Sequence, residues 1–237
     1  MEGFTYHNIF DTKGIEYLVV IAFLLSLIPF WMALNKKPKI GERIRRAFGI
    51  LSANVIRIPQ GIFYNKNHTW AYLEKSGSAR IGLDDFLLRI TGIVRIRQLK
   101  STGQMIKKGE LMAEIEQDGK SLHILSPISG EIISFNPELN AIHGLLNEDP
   151  YGKGWIVDIK PSDWIGEIPS FYLAEGAIHW LKKEIERYKD FLALNIRKYQ
   201  PETLPVVLQD GGEISENSLS DLPPEIWQVF QKEFLNP

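Results

Sequence analysis

Residues 111–125 read LMAEIEQDGKSLHIL. Leu111 to Glu116 has the pattern of a strand running into a turn, and Leu122 to Leu125 that of the strand running out, so the segment reads as a β-hairpin. Gly119 stands at its tip, where glycine is good turn chemistry. Working outward, Trp70 to Glu74 alternates towards turn residues at Lys75 to Ser78, and Ala79 to Gly82 resumes, which predicts a second hairpin. Asp84 and Asp85 precede Phe86, Leu87, Leu88 and Ile90, a capped helical turn or two. Gly92 to Leu99 alternates again, and Ser101-Thr-Gly and Lys107-Lys-Gly are turn punctuation. Short strands at this spacing predict a mainly β domain over 55–168, a sandwich or flattened barrel rather than a parallel sheet.

The composition narrows the function. The chain has 237 residues, 44% hydrophobic and 24% charged, enough for one good core with extensions. A formal net charge of -2 argues against nucleic acid as a partner, because phosphate binding needs gathered Lys and Arg. Without cysteine there are no disulfides, thiolate nucleophiles or Cys-based zinc sites. His7, His68, His123, His143 and His179 show no metal-ligand spacing, so no metal is expected. Asp84 with Asp85 reads as helix capping, Glu148 and Asp149 as turn residues, and His68 and His123 as structural or surface groups. Gly103 to Gly109 lacks the ending of a phosphate loop.

The amino-terminal part differs in kind. Tyr17 to Leu34 reads YLVVIAFLLSLIPFWMAL, uncharged throughout. As a helix it would extend about 27 Å at roughly 1.5 Å per residue, close to the hydrocarbon thickness. A buried core helix would carry a polar stripe, and a cleaved signal peptide would have a short basic leader and a small-residue cleavage site. The reading is therefore an extracytoplasmic leader at 1–14, a transmembrane helix at 15–35 with Tyr17 and Trp31 as interface anchors, and a basic juxtamembrane segment at 36–54. Lys36, Lys37, Lys39, Arg43, Arg45 and Arg46 in that segment place the flank in the cytoplasm. That gives a single-pass inner-membrane protein with its amino terminus outside and its large domain cytoplasmic. The stretch 40–48 reads either as a short basic amphipathic helix on the lipid surface or as an ordinary stop-transfer flank.

Five blocks make the β region specific. Tyr64-Asn-Lys-Asn-His-Thr-Trp, Ile81-Gly-Leu-Asp-Asp-Phe, Gly103-Gln-Met-Ile-Lys-Lys-Gly-Glu, Ser126-Pro-Ile-Ser-Gly-Glu-Ile and Asn147-Glu-Asp-Pro-Tyr-Gly-Lys-Gly-Trp follow one another in order. Together they resemble the H protein of the glycine cleavage system, a member of the lipoyl and biotinyl carrier fold. The resemblance implies a domain that hangs a lipoyl group from one exposed lysine. In the resembled families that lysine stands seven residues before the serine of the Ser-Pro block and three after a glutamate. Counted from Ser126 and from Glu116, both positions fall on Gly119, which has no amine. Lys120 lies one place later, where those families usually carry alanine, and a one-residue displacement near a tip turns a side chain to another face. The expectation is no cofactor, with Lys120 as a shifted lipoyl acceptor under the alternative reading.

The carboxy-terminal part reads as an amphipathic helix within 169–200 and a loop and last helix in 201–237. Leu173, Ala177, Trp180, Leu181, Ile185, Tyr188, Leu192, Ile196 and Tyr199 recur at steps of three and four. Lys182, Lys183, Glu184, Glu186, Arg187, Lys189 and Asp190 are assigned to the opposite face. The stripe either packs on its own domain or receives a partner. Gln209 to Ser218 reads as a mobile turn-rich loop. In the last helix, Ile226, Trp227, Phe230 and Phe234 offer an apolar face, a docking anchor for another protein or a surface folded back on the core.

Three functions compete. The first is a non-catalytic, unlipoylated, membrane-anchored scaffold, docking in a larger membrane complex of redox or respiratory type, with membrane lipid and other subunits as partners. The second is a lipoyl carrier of glycine-cleavage type modified on Lys120. The third, a periplasmic efflux-type adaptor, conflicts with the cytoplasmic placement and with the lack of a long coiled-coil insertion in the hairpin.

Overall fold

The computed structural model describes residues 9–35, 50–51, 55–199, 208–209 and 213–236. The chain divides into two units, residues 1–44 and 45–237, each taken by itself. The first contains helix α1 (Ile9–Asn35), with Pro29 inside it. The helix begins within the stretch expected to be a leader. Its described side chains, Tyr17 to Trp31, are all exposed. A span over 15–35 is the expectation, but among the described residues no helix is long and apolar enough to cross a membrane. Lys36, Lys37, Arg43, Arg45 and Arg46 lie outside the described residues.

The second unit is mainly β. Its strands are β1 (Ile50–Leu51), β2 (Phe63–Tyr64), β3 (Thr69–Leu73), β4 (Ala79–Leu83), β5 (Arg95–Gln98), β6 (Met105–Ile106), β7 (Leu111–Gln117), β8 (Lys120–Leu125), β9 (Gly130–Phe135), β10 (Val157–Pro161), β11 (Leu208–Gln209) and β12 (Glu213–Ser215). They form a six-stranded sheet in the order β2-β3-β4-β10-β9-β6, a three-stranded sheet β5-β7-β8 and a small sheet β1-β12-β11. The pairings are antiparallel, as hairpin-connected strands allow. One core takes Ile81, Ile132, Val157 and Ile159 from the large sheet and Ala113, Ile115, Leu122 and Ile124 from the three-stranded one. In β8 the inward Leu122 and Ile124 alternate with Ser121 and His123, the period-two pattern of a strand with one buried face. Gly130 belongs here for space: a Cβ on it would lie 2.2 Å from the carbonyl oxygen of Lys160 on the neighbouring β10.

Short helices α2 (Asp85–Thr91), α3 (Glu138–Ala141), α4 (Leu145–Glu148) and α5 (Trp164–Glu167) connect the strands. Asp84 is the N-cap of α2, its carboxylate accepting from the Leu87 amide at 2.8 Å. At the other end Asn147 Nδ2 donates to the carbonyls of Leu88 and Gly92, both at 3.0 Å. Asp85 does different work from its neighbour. It accepts from the Arg57 amide at 2.8 Å and from Arg89 Nε at 2.8 Å.

After the β domain come α6 (Ala174–Tyr199), α7 (Pro224–Phe230) and one wide turn, Gln231–Leu235. Ala177, Leu181, Ile185, Tyr188 and Leu192 of α6 are buried on the chain's own core, so the stripe packs intramolecularly, although Leu173 at its start is exposed. Two expectations change here. Of the stretch Gln209 to Ser218, residues 210–212 lie outside the described residues and the rest is tied down: β11 and β12 pair with each other and β12 with β1, Ile214 is fully buried, and the Asn217 amide donates to the Arg89 carbonyl at 2.7 Å. Trp227 and Phe230, read as an interaction surface, are 1% and 0% exposed. Phe230 stacks on Phe234 and meets Tyr188 and Phe191 edge-on, and Trp227 lies in the same core, because that many aromatic faces are cheaper to bury than to leave in water.

Candidate functional site

The β7–β8 hairpin closes on the pair Gln117 and Lys120, leaving Asp118 and Gly119 as a two-residue loop. Both have positive φ, 48° and 79°, the backbone of a type I′ turn. Asp-Gly is the sequence that reaches this conformation at low cost. Gly119 is therefore a good turn residue, and a Cβ on it would meet nothing within 4 Å. The tip has room for a side chain and lacks a nucleophile.

Lys120 is the nearest amine, and it is engaged. Its ammonium donates to the carbonyls of Ser220 and Leu222 and lies 5.1 Å from the ring centroid of Trp227. Nothing here fits a lipoyl attachment at the tip: the position the resemblance points to has no amine, and the neighbouring amine faces the carboxy-terminal segment.

Beside the tip lies an open groove of about 740 Å³, walled by Ile93, Val94, Arg95, Glu114, Glu116 and His143 among others. Its two glutamates are paired by a residue outside the lining. Arg97 pairs with Glu114 and with Glu116, the latter at 2.8 Å, and His123 Nε2 stands 3.8 Å from Glu114. Among the described residues, no grouping of His, Asp and Glu is arranged to hold a metal ion.

A second cluster was not legible as a site in the sequence. His68, held at φ 59° inside a tight turn, is fully buried. Its Nδ1 lies 2.8 Å from Asp84 Oδ2 and its Nε2 3.3 Å from Glu184 Oε1, the latter off the hydrogen-bond direction. Phe86 and Trp180 lie at centroid distances of 5.0 and 5.4 Å from its ring. Burial alone would lower the pKa of His68, but the Asp84 carboxylate, with Glu184 behind it, prevails and raises it from 6.5 to about 9. Burial of the phenol raises Tyr188 as well. Glu184 is only 3% exposed, not on the polar face of α6 as the sequence reading had it, and Arg187 completes the group at 3.0 Å. The signal was available: Glu184 falls three residues after Leu181 and four before Tyr188, on the buried stripe. With His68, Asp84 and Glu184 buried and Arg187 at the surface, this cluster fastens α6 to the β domain and offers no room for a substrate.

The signature block near the end of the domain has its own geometry. Asp149 accepts from the amides of Gly152 and Lys153 at 3.1 and 2.8 Å, the turn role expected of it. The Glu148 carbonyl accepts from Arg57 Nη1 at 3.0 Å.

Comparison with known proteins points to one family. The family described as Glycine cleavage H-protein matches residues 62–184. A probable glycine cleavage system H protein of Pyrococcus abyssi is 33% identical over 126 residues, covering 53% of this chain and 93% of that protein. The glycine cleavage system H protein of Thermus thermophilus is 35% identical over 127 residues, covering 54% and 98%. A crystal structure of a glycine cleavage system H protein from Mycobacterium marinum shares 24% identity over 50% of this chain and 94% of that one, with a TM-score of 0.44. Helix α1 and everything after Glu184, including Ser220, Leu222 and Trp227, fall outside the matched window. With the family match spanning half of its residues, the chain belongs to the glycine cleavage H-protein family.

Proposed function

We propose that this chain is a family member that has lost its swinging arm and serves as a non-catalytic docking subunit, tethered to the cytoplasmic face of a membrane within a larger complex. The observation that carries the reading is Gly119 at the tip, with φ 79° and no amine, in the place where the resemblance calls for the lipoyl-lysine. The engagement of Lys120 by Ser220, Leu222 and Trp227 supports it. Support for the tether is the uncharged run Tyr17 to Leu34 followed by Lys36, Lys37, Lys39, Arg43, Arg45 and Arg46. Along that run the large apolar side chains of α1 are 40–67% exposed, and each one costs roughly 1.5–3 kcal/mol if left in water rather than in an apolar medium. A tether suits a fixed partner better than a carrier that must visit successive enzymes.

The second reading, a glycine-cleavage carrier loaded on Lys120, is favoured by the relatives, which are named as glycine cleavage system H proteins. Intact-mass measurement on the protein from its native cells separates the two. The docking reading expects the unmodified mass, while a lipoyl mass that disappears in Lys120→Arg would establish the carrier instead. Protease digestion in sealed vesicles tests the topology. Cleavage of the β domain from the extracytoplasmic side would refute it.

A further inference from the structure

Among the described residues no strand lies beside the outer edge of β8 in the sheet β5-β7-β8, and an open edge offers its backbone groups to any extended chain. Here the chain's own carboxy-terminal segment covers it. Gln231 imitates a partner strand: its Nε2 donates to the His123 carbonyl at 3.1 Å and its Oε1 accepts from the His123 amide at 2.7 Å. Nearer the tip, Lys120 donates to the carbonyls of Ser220 and Leu222 and lies over the Trp227 ring. Trp227 is itself fixed by its indole N–H, which donates to the Leu219 carbonyl at 2.7 Å. Two independent contacts thus grip one hairpin, one at its terminal amine and one along its backbone.

We propose that residues 219–231 form an intramolecular clasp over the arm-bearing hairpin of the family, occupying the β8 edge and withdrawing the Lys120 amine from modifying enzymes and reagents. The inference rests on the family identity of the hairpin and not on the absence of a lipoyl group. The occupant of the edge is a segment of this same chain, and every member of the clasp lies beyond the family-matched window. The clasp therefore accounts for why the one-residue shift from Gly119 to Lys120 does not simply relocate the acceptor. A side chain leaving β8 at Lys120 meets carbonyls and an indole ring that hold its partly buried amine.

The test is competitive acetylation of the full-length protein in mild detergent with N-hydroxysuccinimidyl acetate, read by peptide mass spectrometry. In this reaction the neutral amine forms the new N–C bond, the ester C–O bond breaks, N-hydroxysuccinimide leaves and the amine proton passes to solvent. Lys75 and Lys153, both exposed, serve as internal references. Lys120 should react at least about tenfold more slowly than they do, the factor expected from one charge-assisted hydrogen bond. Trp227→Phe and Gln231→Ala should each raise the Lys120 rate severalfold and leave Lys75 unchanged, and Gln231→Ala should also speed amide exchange at His123. Gln231 is only partly buried, so its variant remains informative if the tryptophan variant fails to fold. Equal rates for Lys120 and Lys75 in the unaltered chain, or no response to Gln231→Ala, would overturn the clasp while leaving the arm-less reading intact. Lipoate found on Lys120 in native material would overturn both.

Discussion

Replacing Gly119 by lysine tests whether an amine is what this hairpin lacks. The structure sets the cost. Gly119 has φ 79°, a conformation that an L side chain enters at about 1–2 kcal/mol. Removing a glycine also restricts the unfolded chain, which returns about 0.4–1 kcal/mol. No steric charge is added, since a Cβ at this position meets nothing within 4 Å. The net loss is therefore about 1 kcal/mol, or about 2–4 °C in Tm for a folded unit of this size. Gly119→Ala carries the same backbone strain without the amine and serves as the control. Co-expression with a lipoate-attaching enzyme, followed by intact-mass measurement, should give a lipoylated Gly119→Lys protein and unmodified wild type and Gly119→Ala. Two results would refute the reasoning. One is a loss above about 3 kcal/mol in both variants, showing that the tip is not the open turn described. The other is a folded Gly119→Lys that stays unmodified while an authentic lipoylated relative is labelled in parallel, showing that more than the nucleophile has gone.

Other perturbations follow from the same geometry. His68→Gln leaves the buried Asp84 and Glu184 without their shared cation and should cost about 3–5 kcal/mol in urea unfolding; a loss under 1 kcal/mol would mean the cluster is not charged as described. A folded pKa raised from 6.5 to about 9 stabilises fully below about pH 6.5 and is lost as pH rises through about 9. That corresponds to about 3 kcal/mol at roughly 1.4 kcal/mol per pKa unit, so stability measured at pH 7 and pH 10 should fall by that order, and His68→Gln should flatten the profile. Asn147→Ala removes the side-chain donor to the Leu88 and Gly92 carbonyls, Leu88 keeping the Gly92 amide, and should cost about 1–3 kcal/mol, with faster amide exchange confined to the end of α2.

The parts of this fold that were legible in the sequence are those where local chemistry and the global fold agree. The hairpin tip was readable because Asp118-Gly119 is required by a two-residue turn and the flanking apolar positions alternate. Asp84 was readable as a cap because an N-cap oxygen needs only a helix beginning beside it. Contacts between distant segments left no such trace. Glu184 looks like one more charge on an amphipathic helix until His68, 116 positions earlier by subtraction of the residue numbers, arrives beside it. Gln209 to Ser218 has the composition of a loop, and only the pairing of β12 with β1 makes part of it a strand.

The same distinction explains the carboxy-terminal aromatics. Trp227, Phe230 and Phe234 at helical spacing indicate an apolar face without saying what covers it. What decides is the surface within reach: Tyr188 and Phe191 of α6 take Phe230 and Phe234, and the β8 edge takes Trp227, with the Lys120 ammonium over its ring. The hairpin and the tail thus satisfy each other's exposed groups: the strand gains side-chain partners for its free backbone, and the tail gains a cation for its indole and donors for its carbonyls. For a carrier such an arrangement would be self-defeating, because an arm must leave its domain to work. Under the arm-less reading proposed above, a tip of glycine needs no such freedom, and the tail's contacts cover the β8 edge and hold the Lys120 amine.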